Sequence, residues 1–74
     1  MATGIRKAVN LAFGVPRLAE ALGVSKVAVY IWLRRGWVPA LRAVEIETLY
    51  GVPRRELVSP RLLHLVDVPT DADL

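Results

Sequence analysis

An all-α domain of about five short helices is predicted for this 74-residue chain by three observations. Gly14, Gly23, Gly36 and Gly51 each follow a stretch whose apolar residues recur every three or four positions, where a left-handed residue ends a helix. Pro16, Pro39 and Pro53 stand where the following helices open, positions whose N–H has no partner inside the helix. Cysteine is absent, so no disulfide or thiolate metal site can staple so small a domain. A compact helical bundle closed by packing is the simplest solution at this length.

The elements follow in order. Ile5, Ala8, Val9, Ala12 and Phe13 keep helical spacing and predict a first helix over roughly 4–13, capped by Gly14. The second helix carries Pro16 in its first turn, runs to Leu22 and stops at Gly23; the third begins after Ser25 and ends before Gly36. Trp37 and Val38 form a loop, and Pro39 opens a fourth helix whose Val44, Ile46, Leu49 and Tyr50 give an apolar stripe. Pro53 starts a short fifth helix from Arg54 to Val58, with Leu57 in the core. Leu62 to Val66 is apolar but ambiguous between a last helical turn and a strand, and Asp67 to Leu74 reads as a frayed acidic tail. One domain over residues 1–66 and a tail over 67–74 are expected.

The segment from Arg17 to Gly36 has the spacing of a helix-turn-helix. Ala19 is small where two steeply crossed helices approach, Gly23 supplies positive φ at the turn, and Val29 packs back on the first helix of the pair. Leu18, Leu22, Val24 and Trp32 complete the apolar face, and Ser25 stands where its hydroxyl can cap the next helix. At 100° per residue, Ala28, Val29 and Trp32 share one side of that helix, while Lys26, Tyr30 and Arg34 line the other. Val27 and Ile31 flank the presented side.

That pattern suits duplex DNA. Lys26 can reach guanine or a phosphate, Tyr30 can offer its hydroxyl to the backbone, and Val27 and Ile31 can meet thymine methyls. Arg34 and Arg35 close the helix, where they either offset its negative end or hold phosphates. Arg17 lies in the first turn of the preceding helix, an unfavourable place for a cation unless an anion offsets it. The bland alternative for each is a solvated or merely tolerated surface residue. The charge distribution agrees with a polyanion ligand: up to Val66 ten Lys or Arg oppose four Glu, whereas Asp67, Asp71 and Asp73 gather in the tail.

Other functions find little support in the residues. Hydrophobic residues make up 54% of the chain, yet no uncharged stretch approaches the ~20 residues that cross a bilayer. No signal-peptide core follows the basic start, and a cytoplasmic protein is expected. His64, the only histidine, has no Ser or paired carboxylate near it and reads as a packing or surface residue. Glu45 and Glu47 point to different faces and are either solvated or paired with Arg42 and Arg54. No phosphate loop, metal-ligand cluster or nucleophile triad is present, so no enzyme activity, metal or cofactor is expected.

LAEALGVSKVAVYIW at 18–32, then RRGWVPA at 34–40, VEIE at 44–47 and GVPRREL at 51–57, resembles the Cro and YdaS-type group of phage and prophage repressors, over about residues 5–59. The resemblance implies a lambda-repressor-like five-helix domain that binds operator DNA as a dimer and represses transcription. Some members are described as antitoxins paired with a toxin. Members commonly carry small polar residues, often Ser-Gln, where this chain has Tyr30 and Ile31.

Two readings follow. In the first, the chain is a sequence-specific regulator of Cro type on double-stranded DNA. A single small domain touches few base pairs, so specificity calls for a two-fold dimer on half-sites about one helical turn apart. Exposed Leu41 and the Leu62, Leu63 and Leu65 cluster are the candidate dimer surface, and packing of that cluster on its own core is the alternative. In the second reading the chain is a protein-interaction module, such as an antitoxin bound to its toxin.

Overall fold

The structure, a computed structural model, describes residues 4–59. Over that span it holds four α-helices, α1 (Gly4–Leu11), α2 (Val15–Leu22), α3 (Lys26–Arg35) and α4 (Ala40–Tyr50), and a single 3-10 turn, Arg54–Glu56. No strand occurs among the described residues. The all-helical class is as expected, but the fifth helix is not: only Arg54 to Glu56 wind, as one 3-10 turn. Leu57 nevertheless enters the core, fully buried, as its position after Pro53 implies. Leu62, Leu63, Leu65, His64 and the acidic tail lie outside the described residues.

Every α-helix contributes one large, fully buried residue to a common core, and two connections add one each. Ile5 comes from α1, Leu18 from α2, Val29 from α3, Ile46 from α4, and Val38 and Leu57 from the connections that flank α4. Burying each such side chain is worth about 1.5–3 kcal/mol. A backbone hydrogen bond from the Val38 N–H to the Leu57 carbonyl, 2.7 Å, ties those two connections together at the start of α4. Among the described residues, side-chain ion pairs fasten the periphery, including Lys7 to Glu56, Arg42 to Glu45, and Arg54 to Glu47. In the last two, Glu45 and Glu47 take the arginines that the sequence offers as the alternative to solvation.

The first helix differs from its prediction in a way that sterics explain. Its regular part ends at Leu11, and Phe13 is the residue that turns left-handed, at φ 67°. The Phe13 N–H donates to the Asn10 carbonyl and the Gly14 N–H to the Val9 carbonyl. This is the bonding of a Schellman end in which Phe13 takes the place usually given to glycine. The ring is therefore driven outward and is 84% exposed, instead of continuing the apolar stripe of α1. Gly14 follows at φ 123°, leading into Val15 and Pro16.

A second departure concerns α4. Ala43 and Ile46 form its buried stripe, whereas Val44 and Leu49, expected there, are exposed together with Leu41. At 100° per residue, Val44 points about 100° away from Ala43 and Leu49 about 60° away from Ile46. The fold also uses Gly4, which the sequence pattern leaves unmarked. A Cβ at Gly4 would collide with the carbonyl of Glu56, so the missing side chain lets α1 start directly against the 3-10 turn.

Two substitutions test this account by thermal denaturation. Phe13→Gly relieves the left-handed strain while sacrificing little packing, and is expected to stabilise by about 1 kcal/mol, raising Tm by roughly 4–8 °C. Gly4→Ala forces the helix off the turn and is expected to cost about 1–3 kcal/mol. A neutral Gly4→Ala would contradict the close packing of α1 on the 3-10 turn.

Candidate nucleic-acid interface

The pair α2 and α3 makes the most extensive helix–helix contact of the domain. The three residues between them are set by hydrogen bonding. Gly23 takes φ 70°, its N–H donates to the Glu20 carbonyl, and the Val24 N–H reaches back to the Ala19 carbonyl at 3.0 Å. Together these satisfy two of the orphan carbonyls of α2 and fix the exit of the chain. Ser25 then adopts an extended backbone and accepts the Ala28 N–H on its Oγ at 3.1 Å, starting α3. Ala19, Leu18 and Leu22 of α2 and Val29 and Trp32 of α3 are buried, with Val24 and Ala28 half-buried against them.

Burial of that side leaves the other side of α3 to solvent. Lys26, Val27, Tyr30, Ile31 and Arg34 are all exposed, Val27 by 64% and Ile31 by 44%. On the helical wheel Val27, Tyr30 and Arg34 stand near the centre of the outward face, with Ile31 beside them and Lys26 at one edge. Arg17 is exposed in the first turn of α2, where no acid offsets the positive helix end. Glu20 is the acid of α2 and is exposed too, while α3 has none.

Seven cations among the described residues fall into two groups. Lys7, Arg42 and Arg54 are tied to carboxylates, and Arg42 also donates to the Leu22 carbonyl at 3.2 Å. Arg17, Lys26 and Arg34 have no hydrogen-bond or ion-pair partner among the described residues, and Arg55 is the same. Arg35 belongs to neither group. Its guanidinium lies 3.6 Å from the centroid of the Trp37 ring, and its Nε donates to the Trp37 carbonyl at 3.0 Å. Gly36, left-handed at φ 90°, turns the chain so that Trp37 can fold back on Arg35. The sequence reading gave Trp37 no such part; the signal available was a tryptophan two residues past an arginine across a turn glycine.

Among the described residues there is no cluster of His, Asp or Glu that could hold a metal ion. No helix among them is long and apolar enough to cross a membrane. A family model described as bacterial toxin YdaS matches residues 5–58, which takes in the 3-10 turn and all four helices but for Gly4. The chain belongs to the YdaS family. None of the curated proteins and none of the solved structures compared with it gives a significant match. The YdaS match begins at Ile5 and ends at Val58, two residues that the core buries. The segment shared with the family is therefore the packed body itself.

Because the Ser25 Oγ accepts the Ala28 N–H in the first turn of α3, an N–H it shares with the Ser25 carbonyl, Ser25→Ala is expected to cost about 0.5–1 kcal/mol of stability. Ser25→Asp should retain most of it, since a carboxylate also caps and favours the positive end. Urea unfolding of the three proteins measures both.

Proposed function

We propose that the chain is a sequence-specific DNA-binding regulator that represses by occupying an operator, two chains acting together on a two-fold site. The observation that carries this reading is the division of the cations. Those that brace the fold are paired, whereas Arg17, Lys26 and Arg34, on the two helices of the helix-turn-helix, are not. A cation left without a partner costs nothing in water but gains strongly beside phosphates, through release of condensed counterions.

In this reading α3 enters the major groove. Lys26 serves guanine or a phosphate, Val27 and Ile31 meet thymine methyls, and the Tyr30 hydroxyl and Arg34 hold the sugar-phosphate backbone. Ser25 sits at the end of α3 nearest the bases, and Arg17 takes a phosphate at the first turn of α2. Arg35 contributes its remaining N–H groups from the platform of Trp37. No catalytic step and no cofactor form part of the reading.

A second reading has its own support. The family description names a bacterial toxin, and Val27 and Ile31 put apolar surface in the middle of the presented face of α3. Both features suit a protein partner in a toxin–antitoxin pair, with α3 as the docking helix.

Salt separates the two. Binding to random duplex and to the DNA flanking the gene is measured at ~50 and ~200 mM salt, where phosphate-dominated affinity falls steeply. For the regulator, the flanking DNA binds more tightly. The Lys26→Ala/Arg34→Ala variant loses that preference, and its salt slope drops by about 0.9 for each phosphate contact removed. Equal, weak and salt-insensitive binding by both proteins would overturn the DNA reading and favour the protein partner.

A further inference from the structure

The outward side of α4 repeats the spacing of a helix that packs against another. Leu41, Val44 and Thr48 recur at steps of three and four, the seam of a two-helix contact, and Leu49 lies beside them. Leu41, Val44 and Leu49 are 66%, 40% and 55% exposed. Apolar surface of this kind on so small a domain marks a partner. The strip also has relief. Leu41 stands out at its beginning, and a groove of about 310 Å³ opens toward its end, between Val44, Glu45, Thr48 and Leu49 of α4 and Ala21 and Leu22 of α2. A cavity of ~150 Å³ in a packed core already admits benzene, so the groove has room for a leucine side chain.

Knob and groove lie on one helix, which makes the surface complementary to itself. Leu41 precedes the middle of the four groove residues of α4 by roughly five or six positions, about 8 Å along the helix axis. A second α4, laid antiparallel about a two-fold axis that crosses the helix beside Val44, brings each Leu41 to the groove of the other chain. Both contacts then form at once, as an isologous pair requires. In that register Arg42 stands opposite the second chain's Glu45, and Glu45 opposite its Arg42. The bonds that Arg42 makes within the chain, to Glu45 at 2.8 Å and to the Leu22 carbonyl at 3.2 Å, both use Nη1, so Nη2 keeps its hydrogens for a second carboxylate. One register thus satisfies shape and charge together. At these exposures the strip and groove offer roughly 450 Å² per chain, so a pair buries about 900 Å² in all, just below the ~1,000 Å² of a stable interface. Such a dimer is weak by itself and gains from any two-fold ligand that holds both chains.

We propose that two copies of the chain pair through α4, antiparallel about a two-fold axis beside Val44, with Leu41 of each seated in the groove between α2 and α4 of the other. The inference rests on the two-chain part of the regulator reading and gives it a contact surface. Leu41, one of the candidate dimer residues of the sequence reading, keeps that part and is joined by Val44 and Leu49. Its tests are made without DNA. Failure of the pairing leaves DNA binding to its own salt experiment, and failure of DNA binding leaves the pairing as it is.

Absence of native cysteine makes the test direct. In the full chain, Val44→Cys, beside the axis, is treated with a short bismaleimide and compared with Val27→Cys on α3; a single cysteine can be linked only between chains. Circular dichroism confirms that each variant is helical. The expected result is a product of dimer mass from Val44→Cys, in yield several-fold above the α3 control and reduced to the control level when Leu41→Asp is added. Equal yields from the two positions overturn the proposal, in favour of a face covered by its own chain or by a different protein. Sedimentation equilibrium from ~5 to ~500 μM gives a readout without a cross-link. The mean mass of the wild type should rise toward that of two chains, while Leu41→Asp, still helical, stays at one. A wild type that remains at the mass of one chain throughout refutes the pairing, as does a Leu41→Asp variant that associates equally well.

Discussion

The three-residue turn from Gly23 to Ser25 is the constraint on which the rest depends. A left-handed glycine, the return of the Val24 N–H to Ala19 and the Ser25 cap together allow one exit direction from α2 and one starting register for α3. Since a helix has a fixed angular step, choosing its first residue also chooses which side chains turn inward. Val29 and Trp32 are buried and Val27, Tyr30 and Arg34 are presented for that reason alone. Moving the register by one residue would bring Tyr30 toward the core and expel Val29. The turn thus determines the chemistry of the outward face.

The electrostatics repeat that logic at the surface. Ion pairs between half-exposed side chains contribute little to stability, typically below about 1 kcal/mol. Their greater effect here is on availability, because the carboxylates that occupy Lys7, Arg42 and Arg54 leave α2 and α3 with cations in excess. Arg17 sharpens the point. It sits at the positive end of α2 without an acid in that turn, a placement that lowers helix stability slightly and that only an external anion reverses. Arg35 follows the opposite course, since stacking on Trp37 orients its guanidinium across the Gly36 turn.

Sequence reasoning recovered the features that rest on local chemistry. Gly23, Gly36 and Gly51 end their helices in the left-handed conformation, Ser25 caps α3, and Glu45 and Glu47 find Arg42 and Arg54. Each of these is dictated by steric freedom, a hydrogen-bonding side chain or residues close enough in sequence to meet. What was not legible depends on where elements lie relative to one another. Ile46 is buried as its place in the apolar stripe implies, but Val44 and Leu49 have the same composition, and only the packing of α4 shows that Ala43 lies inward in their stead. Gly4 acquires meaning solely from the carbonyl of Glu56, fifty-two positions away. Phe13 was misplaced because a Phe-Gly pair invites the glycine to be read as the cap, although the hydrogen bonds assign the left-handed residue one position earlier.

Phe13 and α4 share a further property that bears on how so small a domain is organised. Four helix ends turned by a left-handed residue give connections of three or four residues, which keeps most contacts local and lets a 74-residue chain assemble one core. Short connections leave little freedom to rotate a helix so that every apolar residue points inward. A helix of 11 residues with apolar side chains distributed around it, as α4 has, must then expose some of them whichever way it packs. Ala43 and Ile46 win the inward side because a small and a branched residue fit the close approach to the other helices, and Leu41, Val44 and Leu49 are displaced outward. The apolar strip on α4 is therefore a geometric consequence of economical connections.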